Sequence, residues 1–175
     1  NTNSQTSGRP VNVAVVGLGF MGLTHIKSYQ QLPGARIVAV CDAVRLPVNG
    51  VLPGISGNIT GSDAIDLGKS IRTYSKLEDL LADGDVELVD LCVPTPLHVP
   101  QALAALQAGK HVLCEKPLAR TSALSREIVN AAKSAKGFFM PAMCMRFWPG
   151  WAWLKDLAAQ NTYGKILTAR FRRVS

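Results

Sequence analysis

The run Val11-Asn-Val-Ala-Val-Val16 passes directly into Gly17-Leu-Gly19-Phe-Met-Gly22, and Asp42 stands twenty positions past the last glycine. No other feature restricts the fold as strongly. A β-branched stretch with little polar interruption suits a parallel strand buried on both faces. Gly17 permits a tight turn out of it, Gly19 leaves the backbone open to close approach, and Gly22 lets the next helix lie against the sheet. The N-terminus of that helix offers unpaired N–H groups and the positive end of its dipole to a phosphate. Asp42 ends a second apolar run, 36–42, where a carboxylate can accept hydrogen bonds from a ribose diol. The arrangement predicts a dinucleotide site in an α/β fold with a doubly wound parallel sheet. A turn that is glycine-rich by chance would leave the placing of Asp42 unexplained. An adenosyl ligand such as S-adenosylmethionine could use a similar loop and acid, but motifs further along argue against it.

With 175 residues, 47% of them hydrophobic, the chain can bury the core of one ordinary domain with an appendage. No apolar run approaches the ~20 residues that span a bilayer, so no membrane association is expected. Residues 1–10 are polar, are expected to form a loose tail, and hold no secretory signal. Cys41, Cys92, Cys114 and Cys144 lack CxxC spacing. They read as core or site-lining thiols of a cytoplasmic protein, with no metal site. The Asn58-Ile-Thr60 sequon is a chance match in that setting. Net charge is +7 but uneven: residues 1–109 carry seven Lys/Arg and nine Asp/Glu, residues 110–175 twelve and three. The basic residues are scattered without a tight run. A dianionic cofactor and solvated helix faces account for them better than nucleic acid does.

Strand and helix patterns alternate, as in a parallel sheet with crossover helices. The expected order starts with a strand at 11–16, a helix at 21–31 stopped by Pro33-Gly34, and a strand at 36–41. A glycine-rich loop at 43–70 follows, with a short helix near 63–68. Ser75-Lys-Leu-Glu78 has the form of a capping box and opens a helix to about residue 82. Then come a strand at 86–93, a proline-rich turn at 94–98, a helix ending at Gly109 and a strand at 111–114. A helix capped by Thr121 or Ser122 and closed by Gly137 precedes a strand at 138–144. Past Pro149 the pattern predicts a helix to about Gln160, a turn at Tyr163-Gly164 and an alternating strand at 165–174. That strand, apolar on one face, needs a sheet to join. The expected domains are therefore 11–148, which binds the dinucleotide, and 149–175, the first helix and strand of a second α/β domain otherwise missing.

A second motif, Glu115-Lys116-Pro117, follows the strand at 111–114. A lysine at the carboxyl end of a parallel strand faces the crevice where such sheets bind ligands. There it can act as acid or base if partial burial lowers its pKa, or donate a hydrogen bond to a substrate hydroxyl. Pro117 restricts the backbone of Lys116. The plainer reading is a solvent-facing Glu/Lys pair in a loop.

Together these segments resemble the Gfo/Idh/MocA family, named for glucose–fructose oxidoreductase, inositol dehydrogenase and a rhizopine-catabolism protein. The resemblance runs from about Val11 to Arg173. It rests on Gly17–Gly22, Asp42, Pro94-Thr95-Pro96-x-His98, the run into Glu115-Lys116-Pro117, Arg146-Phe147 and Tyr163-Gly164-Lys165. It implies a Rossmann domain binding NAD or NADP, and a second domain whose open sheet receives the substrate and mediates dimer or tetramer formation. The implied reaction moves hydride between the nicotinamide and a secondary alcohol of a sugar or cyclitol. By the same resemblance Gly17, Gly19, Phe20, Met21 and Gly22 cradle the pyrophosphate, and Asp42 holds the adenosine ribose. Val93, Pro94, Thr95 and His98 line the pocket. Glu115 and the catalytic Lys116 reach the nicotinamide ribose and the substrate, and Arg146 lies near the carboxamide or the substrate. Met145 stands where the family often carries the first member of an Asn-Arg or Arg-Arg pair.

The family's Asp and His from the second domain have no counterpart in this sequence. Of the three histidines, His25 is read as a packed or helix-surface residue rather than a catalytic one, because nothing nearby orients it. His98 is read as hydrogen-bonded and structural, and His111 as structural. Ala43 and Val44 follow Asp42, with Arg45 third, and a carboxylate repels a 2′-phosphate, so NAD is preferred to NADP. The rival reading is a dinucleotide-binding module without turnover, or a subunit completed by another chain. A Rossmann-type methyltransferase fails on Glu115-Lys116-Pro117.

Overall fold

Side-chain alternation along the first strand decides the layering. In β1 (Val11–Val16), Val13 and Val15 belong to one core and Ala14 and Val16 to the other, and all four are almost fully buried. A strand sealed on both faces must lie inside a sheet covered on both sides. The computed structural model describes residues 8–55 and 63–172. The polar segment 1–7, the sequon at 58–60 and residues 173–175 lie outside them. Two units are distinguished, Asn1–Ala142 and Met143–Ser175.

In the first unit α1 (Phe20–Tyr29) joins β1 to β2 (Ala35–Cys41). Two short strands, β3 (Val51–Leu52) and β4 (Ile65–Asp66), precede β5 (Arg72–Tyr74) and α2 (Leu77–Leu81). Then follow β6 (Leu88–Leu91), α3 (His98–Gln107), β7 (His111–Cys114), α4 (Ser122–Ser134) and β8 (Phe139–Pro141). Six strands form one parallel sheet in the order β5-β2-β1-β6-β7-β8. That is the doubly wound Rossmann order expected from the sequence. One core packs α2, α3 and α4 through Leu80, Ala102, Ala105, Leu106 and Ile128. The other packs α1 through Leu23 and Ile26, with Leu52 and Ile65. No helix among the described residues is long and apolar enough to cross a membrane.

Several expectations change. The segment 43–70 has no helix at 63–68; instead Val51 and Leu52 pair antiparallel with Asp66 and Ile65. This hairpin is part of the core, since Leu52 is 0% and Ile65 3% exposed. Two-residue strands are too short to show a period, so the sequence reads there as loop. Edge strand β5 is missed for the same reason. Ser75 does not cap α2: the N-cap is Lys76 and makes no side-chain bond. Thr121 does cap α4, its hydroxyl accepting the Leu124 N–H at 3.3 Å. That helix ends at Ser134, ahead of Gly137.

In the second unit a single 3-10 turn, Cys144–Phe147, leads to α5 (Pro149–Gln160), which ends at Asn161 in the left-handed conformation. Trp151 packs against Phe171 with ring centroids 5.6 Å apart and the rings tilted by 33°. The expected strand at 165–174 is not formed over 165–172. Strand geometry is held by ladder hydrogen bonds, and no described residue pairs with this segment.

Ile128→Ala opens a cavity at a fully buried site and should lower the unfolding free energy by about 2–5 kcal/mol. Thr121→Ala should cost about 1 kcal/mol through the lost cap. Urea unfolding followed by circular dichroism measures both.

Candidate dinucleotide site

From β1 the chain steps outward to β2 and β5, and from β6 it steps the other way to β7 and β8. Adjacent strands that lead away in opposite directions leave a crevice at their carboxyl ends. Two bends meet there. Gly17 has φ +88°, and a Cβ on it would come 2.8 Å from the Cys92 carbonyl and 2.9 Å from Val93 Cγ1. A Cβ on Gly22 would collide with the Gly17 carbonyl oxygen. Gly19 differs, because nothing lies within 4 Å of where its Cβ would be. Two glycines therefore close the bend upon the protein itself, and the third faces open space.

Helix α1 starts beside that space with no acidic residue in its first turn and no side-chain cap. Its first intrahelical bond runs from the Leu23 N–H to the Gly19 carbonyl at 3.0 Å. The N–H groups of Phe20, Met21 and Gly22 precede it and have no helical acceptor. An uncapped helix end with open space before it fits the diphosphate of a dinucleotide.

Asp42 follows β2. Its Oδ2 accepts the Leu18 N–H at 2.7 Å, and its Oδ1 accepts the Val44 and Arg45 N–H groups at 2.9 Å each. Burial pushes this carboxyl up, but the three main-chain donors and the Arg45 guanidinium outweigh it and hold it below its ordinary value near 3.8. With about two lone pairs per oxygen, Oδ1 is filled and Oδ2 keeps one for a further donor. The Arg45 guanidinium bonds the Leu18 carbonyl at 2.7 Å and also the Pro53 carbonyl. It thereby ties the 43–55 segment to the glycine bend.

Beyond β6, Val93, Pro94 and Thr95 lead through a 3-10 turn into α3. His98 is 1% exposed, and its ring nitrogens lie 2.8 Å from the Pro117 and Val93 carbonyl oxygens. It clips the bend after β6 to the bend after β7. Glu115 is buried and its N–H bonds the Leu91 carbonyl at 2.9 Å, while Lys116 is exposed. Glu115 Oε2 accepts the Lys116 N–H at 2.9 Å, and the Lys116–Pro117 peptide is cis. His111 Nδ1 accepts the Phe138 N–H, a structural role. Arg146 stands exposed in the 3-10 turn of the second unit, its N–H on the Met143 carbonyl. It is not among the residues that the first unit gathers.

One correction concerns His25. It is oriented from two sides: Nδ1 lies 2.7 Å from Asp90 Oδ2, and Nε2 lies 3.2 Å from Glu115 Oε1. The partners stand 65 and 90 positions away in sequence. The available signal was Asp90, an acid inside the apolar run 86–93, since a buried charge requires a partner. Cys92 joins the group, with Sγ 3.3 Å from His25 Nδ1 and 3.6 Å from Asp90 Oδ1. His25, Asp90 and Cys92 bring donor atoms within 4.8 Å of one another. Nδ1 and Oδ2 are engaged with each other, so the trio is a hydrogen-bonded network. All four cysteines are free; Cys41 and Cys114 are buried, and Cys144 is exposed, contrary to its reading as a core or site-lining thiol. Burial, followed by nearby carboxylates, raises Cys41 to about 11 and Cys114 to about 12.

The family described as an oxidoreductase family with an NAD-binding Rossmann fold, Gfo/Idh/MocA, matches residues 11–143. The chain belongs to this family, and its first unit is an NAD(P)-binding Rossmann fold. It is 34% identical over 160 residues to levoglucosan dehydrogenase of Pseudarthrobacter phenanthrenivorans, covering 91% of this chain and 40% of that protein. It is 33% identical over 161 residues to inositol 2-dehydrogenase of Rhodococcus jostii, with the same coverage. The solved apo structure of a levoglucosan dehydrogenase superposes with TM-score 0.70 at 28% identity, over 91% of this chain and 41% of that one. The chain thus spans about two fifths of the length of these relatives.

Because the folded carboxyl of Asp42 titrates below its unfolded value, its contribution to stability is present above about pH 4 and is lost as pH falls through the lower folded value. Thermal melts between pH 7 and pH 3 should therefore fall less steeply with acidification for Asp42→Asn than for wild type.

Proposed function

We propose that the chain is the coenzyme-binding part of an enzyme that moves hydride between a nicotinamide and a secondary alcohol of a sugar or cyclitol. The observation that carries this reading is one convergence. The open Gly19 bend, the ionised Asp42 and the Glu115-Lys116 pair all stand at the carboxyl ends of parallel strands around one crevice. Gly17, Gly19, Phe20, Met21 and Gly22 would hold the diphosphate, and Asp42 the adenosine ribose. Val93, Pro94, Thr95 and His98 would form the wall between the two halves of the coenzyme. When bound, the nicotinamide supplies the hydride acceptor or donor. Lys116, exposed past β7, would hydrogen-bond the substrate hydroxyl and pass its proton on, with Glu115 fixing the lysine's main chain. Arg146 would serve the carboxamide or the substrate.

NAD is the preferred coenzyme in this reading. Asp42 is held ionised where a 2′-phosphate would sit, and Arg45 is engaged by two carbonyl oxygens. The names of the two relatives support a cyclic polyol or anhydrosugar substrate. Free cysteines fit a cytoplasmic setting. We place a boundary near residue 148 and take 149–175 as the start of a second domain. A completing sheet, on a second copy or another chain, is favoured by exposed Ile166, Leu167 and Phe171 in a segment that has no strand partner among the described residues.

Calorimetric titration with NADH should show one site per chain, with affinity lost in Gly22→Ala. Lys116→Ala should keep the affinity and lower any polyol turnover by about 10²–10⁴-fold, the range for a proton-transfer residue. Absence of binding in wild type would sink the coenzyme reading. Unchanged turnover in the lysine variant would remove Lys116 from the chemistry.

A further inference from the structure

Two buried carboxylates lie beneath the crevice. Asp90, on β6, is 0% exposed, and Glu115, just past β7, is 8% exposed. His25 reaches both from α1, Nδ1 to Asp90 at 2.7 Å and Nε2 to Glu115 at 3.2 Å. An ionised carboxylate only accepts hydrogen bonds, and a neutral imidazole carries one N–H while the imidazolium carries two. Satisfying both acids therefore calls for the doubly protonated ring. The remaining Glu115 oxygen holds the Lys116 N–H at 2.9 Å, so one chain of contacts runs Asp90–His25–Glu115–Lys116. His25 also lies five residues past Phe20, about one and a half helical turns from the uncapped end of α1. Without its charge, two buried acids would oppose a dianionic coenzyme; with it, the group carries one net negative charge.

We propose that His25 is a positioning residue of the coenzyme site: held as imidazolium between Asp90 and Glu115, it fixes the Glu115–Lys116 bend and cancels one buried negative charge behind the diphosphate. This rests on the reading given under Proposed function and adds to it a pH dependence of coenzyme affinity. Burial opposes the charged ring, but the hydrogen bond and charge of Asp90, then Glu115, raise its pKa above the ordinary value near 6.5. The other titratable groups facing the cluster are Tyr29 on α1, Cys92 after β6 and Cys114 on β7. All three are raised, by burial first and by Asp90 next, and stay protonated near neutrality. With those three protonated, the His25 imidazolium is the cation whose loss at rising pH leaves the buried acids uncompensated.

The test follows the His25 ring by NMR and NADH affinity by calorimetry, from about pH 6 to about pH 9, on the whole chain. Wild-type affinity should weaken by about tenfold as the ring loses its proton, the size of a one-unit coupling. His25→Gln leaves Asp90 buried without its cation, so His25→Gln/Asp90→Asn provides a neutral pair. This double variant, checked for its wild-type circular dichroism spectrum, carries the same single net negative charge. It should bind NADH about as tightly as wild type at pH 6, with flat pH dependence and tighter binding than wild type at pH 9. Wild-type affinity that is the same on both sides of the ring's titration would overturn the inference while leaving the coenzyme reading intact. So would a double variant with the wild-type pH profile. A wild-type chain that takes up no NADH at any pH would overturn the coenzyme reading, and this inference with it.

Discussion

The structure turns on the contact between two bends, one leaving β1 at Gly17 and the other leaving β6 at Cys92. Cys92 donates its N–H to the Val16 carbonyl at 2.8 Å, and the Gly17 N–H goes to the Cys41 carbonyl at the same distance. Three strand ends are thereby locked into one plane, and Gly17 stands so near Cys92 that no side chain fits between them. Because Gly22 is packed as closely against Gly17, α1 must point its N-terminus across this junction. An anion-binding helix end at the place where the sheet changes direction follows from packing, before any ligand is considered.

The acids around the crevice are satisfied in two different ways. Asp42, partly exposed, takes three main-chain N–H donors supplied by its own bend and by Leu18. Asp90, wholly buried, depends on side chains: the His25 ring, the Tyr29 hydroxyl and the Cys92 thiol. A main-chain cradle does not titrate, whereas an imidazole does. The first keeps Asp42 ionised to lower pH than a free carboxyl, and the second ties the Glu115-Lys116 bend to a titrating ring.

Legibility in the sequence tracked length and locality. The Val11–Val16 strand, the Gly17–Gly22 bend and α5 beyond Pro149 were legible because each pattern is complete within a dozen residues. The Thr121 cap was legible for the same reason. Ser75 shows the limit of such local rules: the motif is present, but the chain enters α2 one residue later, at Lys76. The β3–β4 hairpin was not legible, since two apolar residues on each side of a long glycine-rich segment carry no period. The 165–172 segment alternates as a strand should, but a strand needs a neighbour to bond with, and none is present among the described residues.

By itself the amino-acid order determined the alternation of strands and helices, the glycine bend with an acid closing the next strand, and the Glu-Lys-Pro motif at a strand end. Each is a short-range consequence of side-chain size, branching and backbone freedom. Only the tertiary structure decided that His25 stands between Asp90 and Glu115, that His98 clips two bends together, and that Leu52 and Ile65 close the second core. Those contacts join residues distant in sequence, and their geometry exists only once parallel strands have fixed the distances between their ends.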